Sequence, residues 1–434
     1  MATPTVVQAD NASQVTTIPV SAVKWREDLY PRIETHASTV QKYAEDLSVL
    51  PPIEVNQHNE LIDGWHRWTA HRKNNESEIR ARITPTTSDA HLLELAIARN
   101  ATHGLQLSRD DKQKMARTIY SATAPKDREE TKARLAKVLS VSERTVREWL
   151  SRIDKDAKEE RDRLIFARWL ACWTQEEIAG EAGITGEAVR LVLQEMADLP
   201  KLAKPQRAAA EHATDFEVPV YNVWKQQTKT AGVDHFGNSE IRWLDNLLYL
   251  YTEPFDVVID PFAGGGSTID LCKKRLRRYL VSDRAPIVDR NDIRQHDITT
   301  GLLKPPQWGD VRLVYLDPPY WKQAEGRYSQ DATDLANMDL AEFTTTLAGL
   351  IKAYAAKLSN AYIALIIQPT QWNAPERRFV DHIGDMLRAV KLPVEMRFSV
   401  PYESQQCNAQ MVEWAKANKR CLVLSREIVV WRCE

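Results

Sequence analysis

The chain has 434 residues, 43% of them hydrophobic, which supports about three domains at one per ~150 residues and excludes a single small module. Its 58 Lys and Arg stand against 60 Asp and Glu, so a net charge of -2 excludes a global positive field toward polyanions or membranes. The five cysteines (Cys172, Cys272, Cys407, Cys421, Cys433) form no C-x-x-C pair and no zinc-spaced cluster, which argues against a metal site or a disulfide framework.

Residues 1–15 read as a disordered polar tail with neither the charged region nor the apolar region of a secretory signal. No uninterrupted apolar run approaches the ~20 residues that span a bilayer, so a cytoplasmic protein without membrane contact is expected. From 16 to 100, short apolar runs (Thr17 to Val20, Pro52 to Val55, Leu61 to Ile62) alternate with turn residues, the pattern of a small mixed α/β domain. Within it, Gly64-Trp65-His66-Arg67-Trp68-Thr69-Ala70 resembles the G-x-x-R-x-x-A segment of ParB-like domains. That resemblance implies a nucleotide, CTP in the family, near Gly64 and Arg67, and pairing of two chains as a homodimer. Trp65 stands where the related sulfiredoxins carry a reactive cysteine, which excludes their chemistry. Arg67 reads equally well as a structural ion-pair partner inside a DNA-docking module.

Residues 101–198 change to helical periodicity and hold two helix-turn-helix units. In the first, Leu135, Ala136 and Leu139 precede the run Val141 to Leu150; in the second, Trp173 to Ala179 leads through Gly183-Ile184-Thr185 to Ala188 to Val192. Thr174 and Glu177 have capping-box spacing, which fixes one helix start. The recognition helices would turn Ser142, Arg144, Thr145 and Arg147, or Thr185, Glu187 and Arg190, toward a groove of double-stranded DNA. Residues 126–168 hold 13 basic and 10 acidic side chains, so electrostatics alone does not separate a DNA reader from an ordinary trihelical bundle. Residues 199–220, rich in Pro, Lys and Ala without an apolar stripe, read as a linker.

From 221 to 434, strand-like runs (Val257 to Ile259, Tyr279 to Val281, Leu313 to Leu316, Tyr362 to Ile367) alternate with helical stretches, which predicts a parallel sheet covered on both faces. Cys421 to Leu424 and Ile428 to Trp431 would close it as an antiparallel hairpin. Three of the fifteen glycines stand together as Gly264, Gly265 and Gly266 between a strand and a helix, where backbone can approach a ligand closely. Asp283 ends the next strand, where a ribose diol sits in a doubly wound fold. No Gly-Lys-Ser/Thr follows, which disfavours a Walker-type phosphate loop.

Leu313 to Leu316 then ends in Asp317-Pro318-Pro319-Tyr320: an acid, two backbone-locking prolines and an aromatic ring. Here the chain resembles the DNA amino-methyltransferases that use S-adenosylmethionine. Asp260-Pro261-Phe262-Ala263-Gly264-Gly265-Gly266 is similar to their cofactor motif and Asp317-Pro318-Pro319-Tyr320 to their catalytic D-P-P-Y. The resemblance covers about 230–434 and implies a Rossmann-like methyltransferase with a mixed seven-stranded sheet. It also implies cofactor contacts at Phe236, Gly237 and Asp297, and N6 of a flipped adenine as target, since Asp rather than Ser at 317 favours adenine over cytosine N4. Asp317 and the Pro318 carbonyl would accept the two N–H hydrogens of the amine, and Tyr320 would stack on the base. Asp297 reads equally as a turn cap.

DNA contacts are expected at Lys322 and Arg327 in a mixed aromatic and basic loop, and in the Gln405 to Gln410 stretch, whose amides suit adenine edges. Both also read as polar surface loops. The expectation is a bacterial or phage-borne DNA adenine-N6 methyltransferase docked by its front half. The alternatives are a ParB-type DNA-binding regulator with a non-catalytic methyltransferase scaffold, or a cytosine-N4 or RNA methyltransferase.

Overall fold

A computed structural model describes residues 15–31, 36–102, 107–225, 239–323, 325–326, 328–372, 378–401 and 408–434. Phe236, Gly237, Arg327, the Gln405 to Cys407 stretch and all but the last residue of the predicted tail lie outside them. The chain divides into two compact units, 1–160 and 161–434.

The first unit runs β1 (Val15–Pro19), α1 (Ala37–Glu45), β2 (Ile53–Val55), β3 (Leu61–Asp63), α2 (Trp65–Lys73), β4 (Glu78–Ile83), α3 (Asp89–Thr102), α4 (Arg109–Ser121), α5 (Arg128–Val138) and the start of α6 (Glu143–Leu170). Its sheet has the order β1-β4-β2-β3, with β2 and β4 parallel and the outer pairs antiparallel. Alternation along β4 buries Ile79 and Ala81 and exposes Arg80 and Arg82, so the apolar side joins Ile53, Val55 and Trp68 in one core. A second core packs α3 to α6 through Ile97, Met115, Tyr120, Leu135, Val146 and Trp149. The α5-turn-α6 pair is the first predicted helix-turn-helix.

The second unit begins with the last turns of α6 and continues through α7 (Gln175–Ala182), α8 (Gly186–Met196), α9 (Lys204–Ala210), α10 (Ile241–Tyr251), β5 (Val257–Asp260), α11 (Ser267–Arg275), β6 (Arg278–Asp283), β7 (Arg294–Gln295) and β8 (Val311–Leu316). It ends with α12 (Leu340–Ala355), β9 (Ala361–Ile367), the pair β10 (Thr370–Trp372) and β11 (Arg378–Val380), α13 (His382–Val390), β12 (Val394–Ser399), α14 (Ala409–Ala417) and β13 (Glu427–Cys433). Seven strands form one mixed sheet in the order β12-β13-β9-β8-β5-β6-β7, in which β13 is antiparallel to both neighbours. Ile259, Val314 and Leu365 pack on one face and Val258, Leu313 and Ile366 on the other, which is why these strands read as continuous apolar runs.

Three expectations change. The boundary falls inside α6, so the second helix-turn-helix, α7 and α8, belongs to the sheet-bearing unit. Ile165, Ile178, Val189 and Leu193 form its core, and Trp169 of the same helix packs on Phe255 with Arg278 4.7 Å from its ring centre. Residues 199–220 are not a free linker. The fully buried Arg275 side chain donates to the Ala209 carbonyl at 2.8 Å and pairs with Asp215 at 3.1 Å and Asp245 at 2.7 Å, while Arg277 donates to the Ala210 carbonyl. The side chains that fasten this segment sit more than sixty positions away, beyond the reach of local composition. Finally, β13 pairs with β12 rather than with Cys421 to Leu424, whose backbone instead bonds the Gln371 side chain at Cys421 and Val423. The β12 side chains are mostly exposed and carry too weak an apolar pattern to show in the sequence.

Candidate active site

Strand order reverses at β5: the chain continues to β6 on one side and returns as β8 on the other. Ligands in open α/β sheets bind at such a point, beyond the carboxyl ends of the strands. The three neighbouring strands end there in acids, Asp260 on β5, Asp283 on β6 and Asp317 just past β8, and all three line one cavity of about 510 Å³. That volume suits a small-molecule or cofactor site.

Asp260 is fully buried, accepts from the Phe262 amide at 2.9 Å and the Thr268 hydroxyl at 2.6 Å, and so ties the strand end to the first turn of α11. Burial pushes its carboxyl up to about 7 against those two donors, and the charges of Asp317 and Asp283 add to the rise. Asp283 accepts from the Gly264 amide and the Ala285 amide, both at 3.0 Å, which holds the glycine turn against the end of β6. Gly264 and Gly266 have positive φ, and a Cβ on Gly266 would meet the Arg290 guanidinium at 2.8 Å. The φ of +80 at Gly266 is what favours glycine there, since the end of the Arg290 side chain can give way.

Asp317 accepts from the Tyr320 hydroxyl at 3.1 Å, and Arg426 donates to the same hydroxyl oxygen at 3.1 Å. Burial raises the Asp317 carboxyl, and the facing Ser239 hydroxyl, the Arg426 charge and the Tyr320 hydroxyl oppose the rise. Asp297 lines the cavity and also caps a short turn through the Thr299 amide at 2.8 Å. The Thr299 donors and Arg284 keep its carboxyl below the usual range.

Of the predicted site residues, Asp260, Pro261, Phe262, Gly264, Asp283, Asp297, Asp317 and Pro319 surround the cavity; Gly265, Gly266, Pro318 and Tyr320 adjoin these in the chain but are not among the residues that line it. Ser267 and Thr268 from the end of the glycine-turn run and Tyr328 from the aromatic and basic loop also line it, as do Arg284, Asp331, Thr333 and Asp334, which carried no motif. Their one available signal was position, just after a strand end or inside the loop that follows D-P-P-Y. Arg426 had no signal at all.

The residues expected to contact DNA are differently placed. Lys322 pairs with Glu325 at 2.6 Å and donates to the Asn337 carbonyl, so it fastens its own loop. Arg144 is exposed near the start of α6, Arg147 pairs with Glu129 at 3.0 Å and Arg190 with Glu187 at 2.5 Å. Gly64 and Arg67 line a separate cavity of about 870 Å³ in the first unit. Gly64 has φ +106, and a Cβ there would lie 2.7 Å from Ile53. Arg67 donates to the Pro51 and Pro52 carbonyls and pairs with Asp63 at 2.7 Å, the arrangement of a structural ion pair. Among the described residues no group of three or more His, Cys, Asp or Glu could hold a metal, and no helix is long and apolar enough to cross a membrane.

No protein-family model matches the chain, and no curated protein matches it. Among solved structures it is similar to a Pnob8-like ParB-N domain, at 16% identity over 45% of this chain and 88% of that one, with a TM-score of 0.27. It is also similar to the C-terminally truncated chromosome-partitioning protein ParB from Caulobacter crescentus. The form complexed with CTP-gamma-S gives 16% identity over 42% of this chain and 98% of that one, with a TM-score of 0.20. The form complexed to the centromeric parS site gives 16% over 46% and 100%, with a TM-score of 0.23.

Proposed function

We propose that the chain is an S-adenosylmethionine-dependent methyltransferase acting on the exocyclic N6 of an adenine extruded from double-stranded DNA. The observation that carries this reading is the convergence of Asp260, Asp283 and Asp317 on one cavity at the point where strand order reverses. The residues present fit the cofactor. Asp283 offers a carboxylate beside the glycine turn for a ribose diol, and Phe262, Ile298 and Leu335 supply apolar wall for a flat ring. When bound, the cofactor supplies a methyl group activated on sulfur.

The protein's own part is positional. An adenine amine is a poor nucleophile because its lone pair is delocalised into the ring. The Tyr320 hydroxyl holds one Asp317 oxygen, so the carboxylate is oriented to accept an N–H of the amine beside the Ser239 hydroxyl, and the Pro318 carbonyl, fixed between two proline rings, accepts the second. Held this way by Asp317 and the Pro318 carbonyl, the nitrogen could become pyramidal and present its lone pair to the methyl group that the cofactor would supply, with the surplus proton lost from the amine after transfer. Tyr320 is half-buried and offers ring surface for the extruded base. Docking on the duplex is assigned to α6 and α8 through Arg144, Arg147 and Arg190.

The test is transfer of radiolabelled methyl to unmethylated genomic DNA, with RNA in parallel, followed by identification of the modified base. Label at adenine N6 in DNA is expected. Shifted DNA without label would make the protein a binding regulator, and label confined to RNA would move the substrate class.

A further inference from the structure

The reading above leaves unused a buried cation that bonds the D-P-P-Y tyrosine. Arg426 is the residue before β13, 106 positions from Tyr320, and is 3% exposed. Its guanidinium lies 4.3 Å from the centre of the Trp243 ring and 6.0 Å from that of Tyr320, and its carbonyl accepts from the Val400 amide at 2.8 Å, which pins its backbone. Taking a guanidinium out of water is unfavourable unless it is paired, and here it bonds the tyrosine that holds Asp317. Because Arg426 donates to the Tyr320 oxygen, the one hydroxyl proton of Tyr320 is directed at Asp317 Oδ1.

We propose that Arg426 is a positioning residue for transfer at Asp317: it holds the Tyr320 hydroxyl, which fixes the carboxylate with its second oxygen turned to the substrate amine. The proposal rests on the methyltransferase reading. The charged and titratable groups that face Asp317 are Arg426, Tyr320, Tyr315 and Asp260, with the Ser239 hydroxyl beside them. Of these only Arg426 is a cation. Without it, only the Ser239 and Tyr320 hydroxyls oppose the effect of burial, so Asp317 protonates at higher pH and the acid limb of the rate moves up.

The experiment measures kcat and KM for cofactor against pH in the full chain for wild type, Arg426→Met, Arg426→Lys, Tyr320→Phe and the Met/Phe double variant. Arg426→Met is expected to lower kcat about tenfold or more and raise the acid limb, while KM for cofactor stays within roughly twofold. Arg426→Lys should recover much of both effects. Since the arginine acts through the tyrosine, the double variant should be no worse than Tyr320→Phe alone. A folded Arg426→Met with wild-type kcat and acid limb overturns the proposal, as do fully additive effects in the double variant. Should Arg426→Met not fold, Tyr320→Phe keeps the ring and carries the test, and an unmoved acid limb overturns it. Absence of transfer by wild type overturns the methyltransferase reading and this proposal together, whereas transfer by wild type with an unmoved limb overturns only this one.

Discussion

Asp317 separates binding from chemistry most sharply, through paired substitutions. Asp317→Ala removes both acceptor oxygens from the cavity wall, among them the one that accepts from the Tyr320 hydroxyl at 3.1 Å. Loss of a preorganised group that acts on developing charge costs about 10²–10³-fold in kcat. Asp317→Asn keeps one carbonyl oxygen and loses the charge. The gap between a charge-assisted and a neutral hydrogen bond is about 1–1.5 kcal/mol, which makes the expected loss roughly tenfold. The carboxyl is raised by burial, so wild-type kcat should fall as pH drops through its titration, and that limb should vanish in the Asn variant. Cofactor affinity, measured by equilibrium dialysis or calorimetry, should change less than threefold in either variant, because Asp260, Asp283 and the glycine turn remain. An Asp317→Ala protein with wild-type kcat, or one that loses cofactor affinity as steeply as rate, would refute the assigned role.

Asp260 makes a stability prediction. Its folded-state pKa of about 7 lies above the ordinary 3.8, so the folded state holds the proton more tightly. The stabilisation is complete below the ordinary value and is lost as pH rises through the folded one. Urea midpoints should therefore decline between about pH 4 and 7, and Asp260→Asn should flatten that decline; an unchanged slope refutes the assignment. Gly64→Ala must place a side chain at φ +106 within 2.7 Å of Ile53, so destabilisation of the first unit by about 2 kcal/mol or more is expected, read from denaturant unfolding of the full chain.

What the sequence displayed and what it hid divide by range. Runs such as Val257 to Asp260 and Leu313 to Asp317 show because both faces of those strands are buried, and a chain that must be apolar at every position cannot conceal it. The acids at their ends show because they break that run at a fixed place. The Thr174 and Glu177 capping box is likewise local, and the structure closes it with bonds of 3.2 Å and 2.7 Å. By contrast β12, Arg426 and the clamped 199–220 segment depend on partners distant in the chain. Arg275 and Arg277 look like an ordinary basic helix end, yet both are buried, and nothing in their neighbours announces Asp215 or the Ala210 carbonyl.

The same accounting of charge bears on DNA. A chain with net charge -2 binds a polyanion only through local cations, and two of the three assigned to the grooves already have acidic partners. Glu129 and Glu187 neutralise Arg147 and Arg190 where a phosphate would have to come. Each arginine that transfers to a phosphate releases counterions, contributing about -0.9 to the slope of log affinity against log salt. With three such residues the slope should stay near -3, shallow for a DNA enzyme, and specificity must then rest mainly on the extruded base. Glu187→Gln frees Arg190 without touching the sheet, so it should tighten non-specific binding a few-fold at low salt and leave kcat on bound DNA unaltered. Fluorescence anisotropy on a labelled duplex across salt measures both. If Glu187→Gln weakens binding or leaves it unmoved, α8 does not face DNA, and the second helix-turn-helix is packing for the sheet-bearing unit alone.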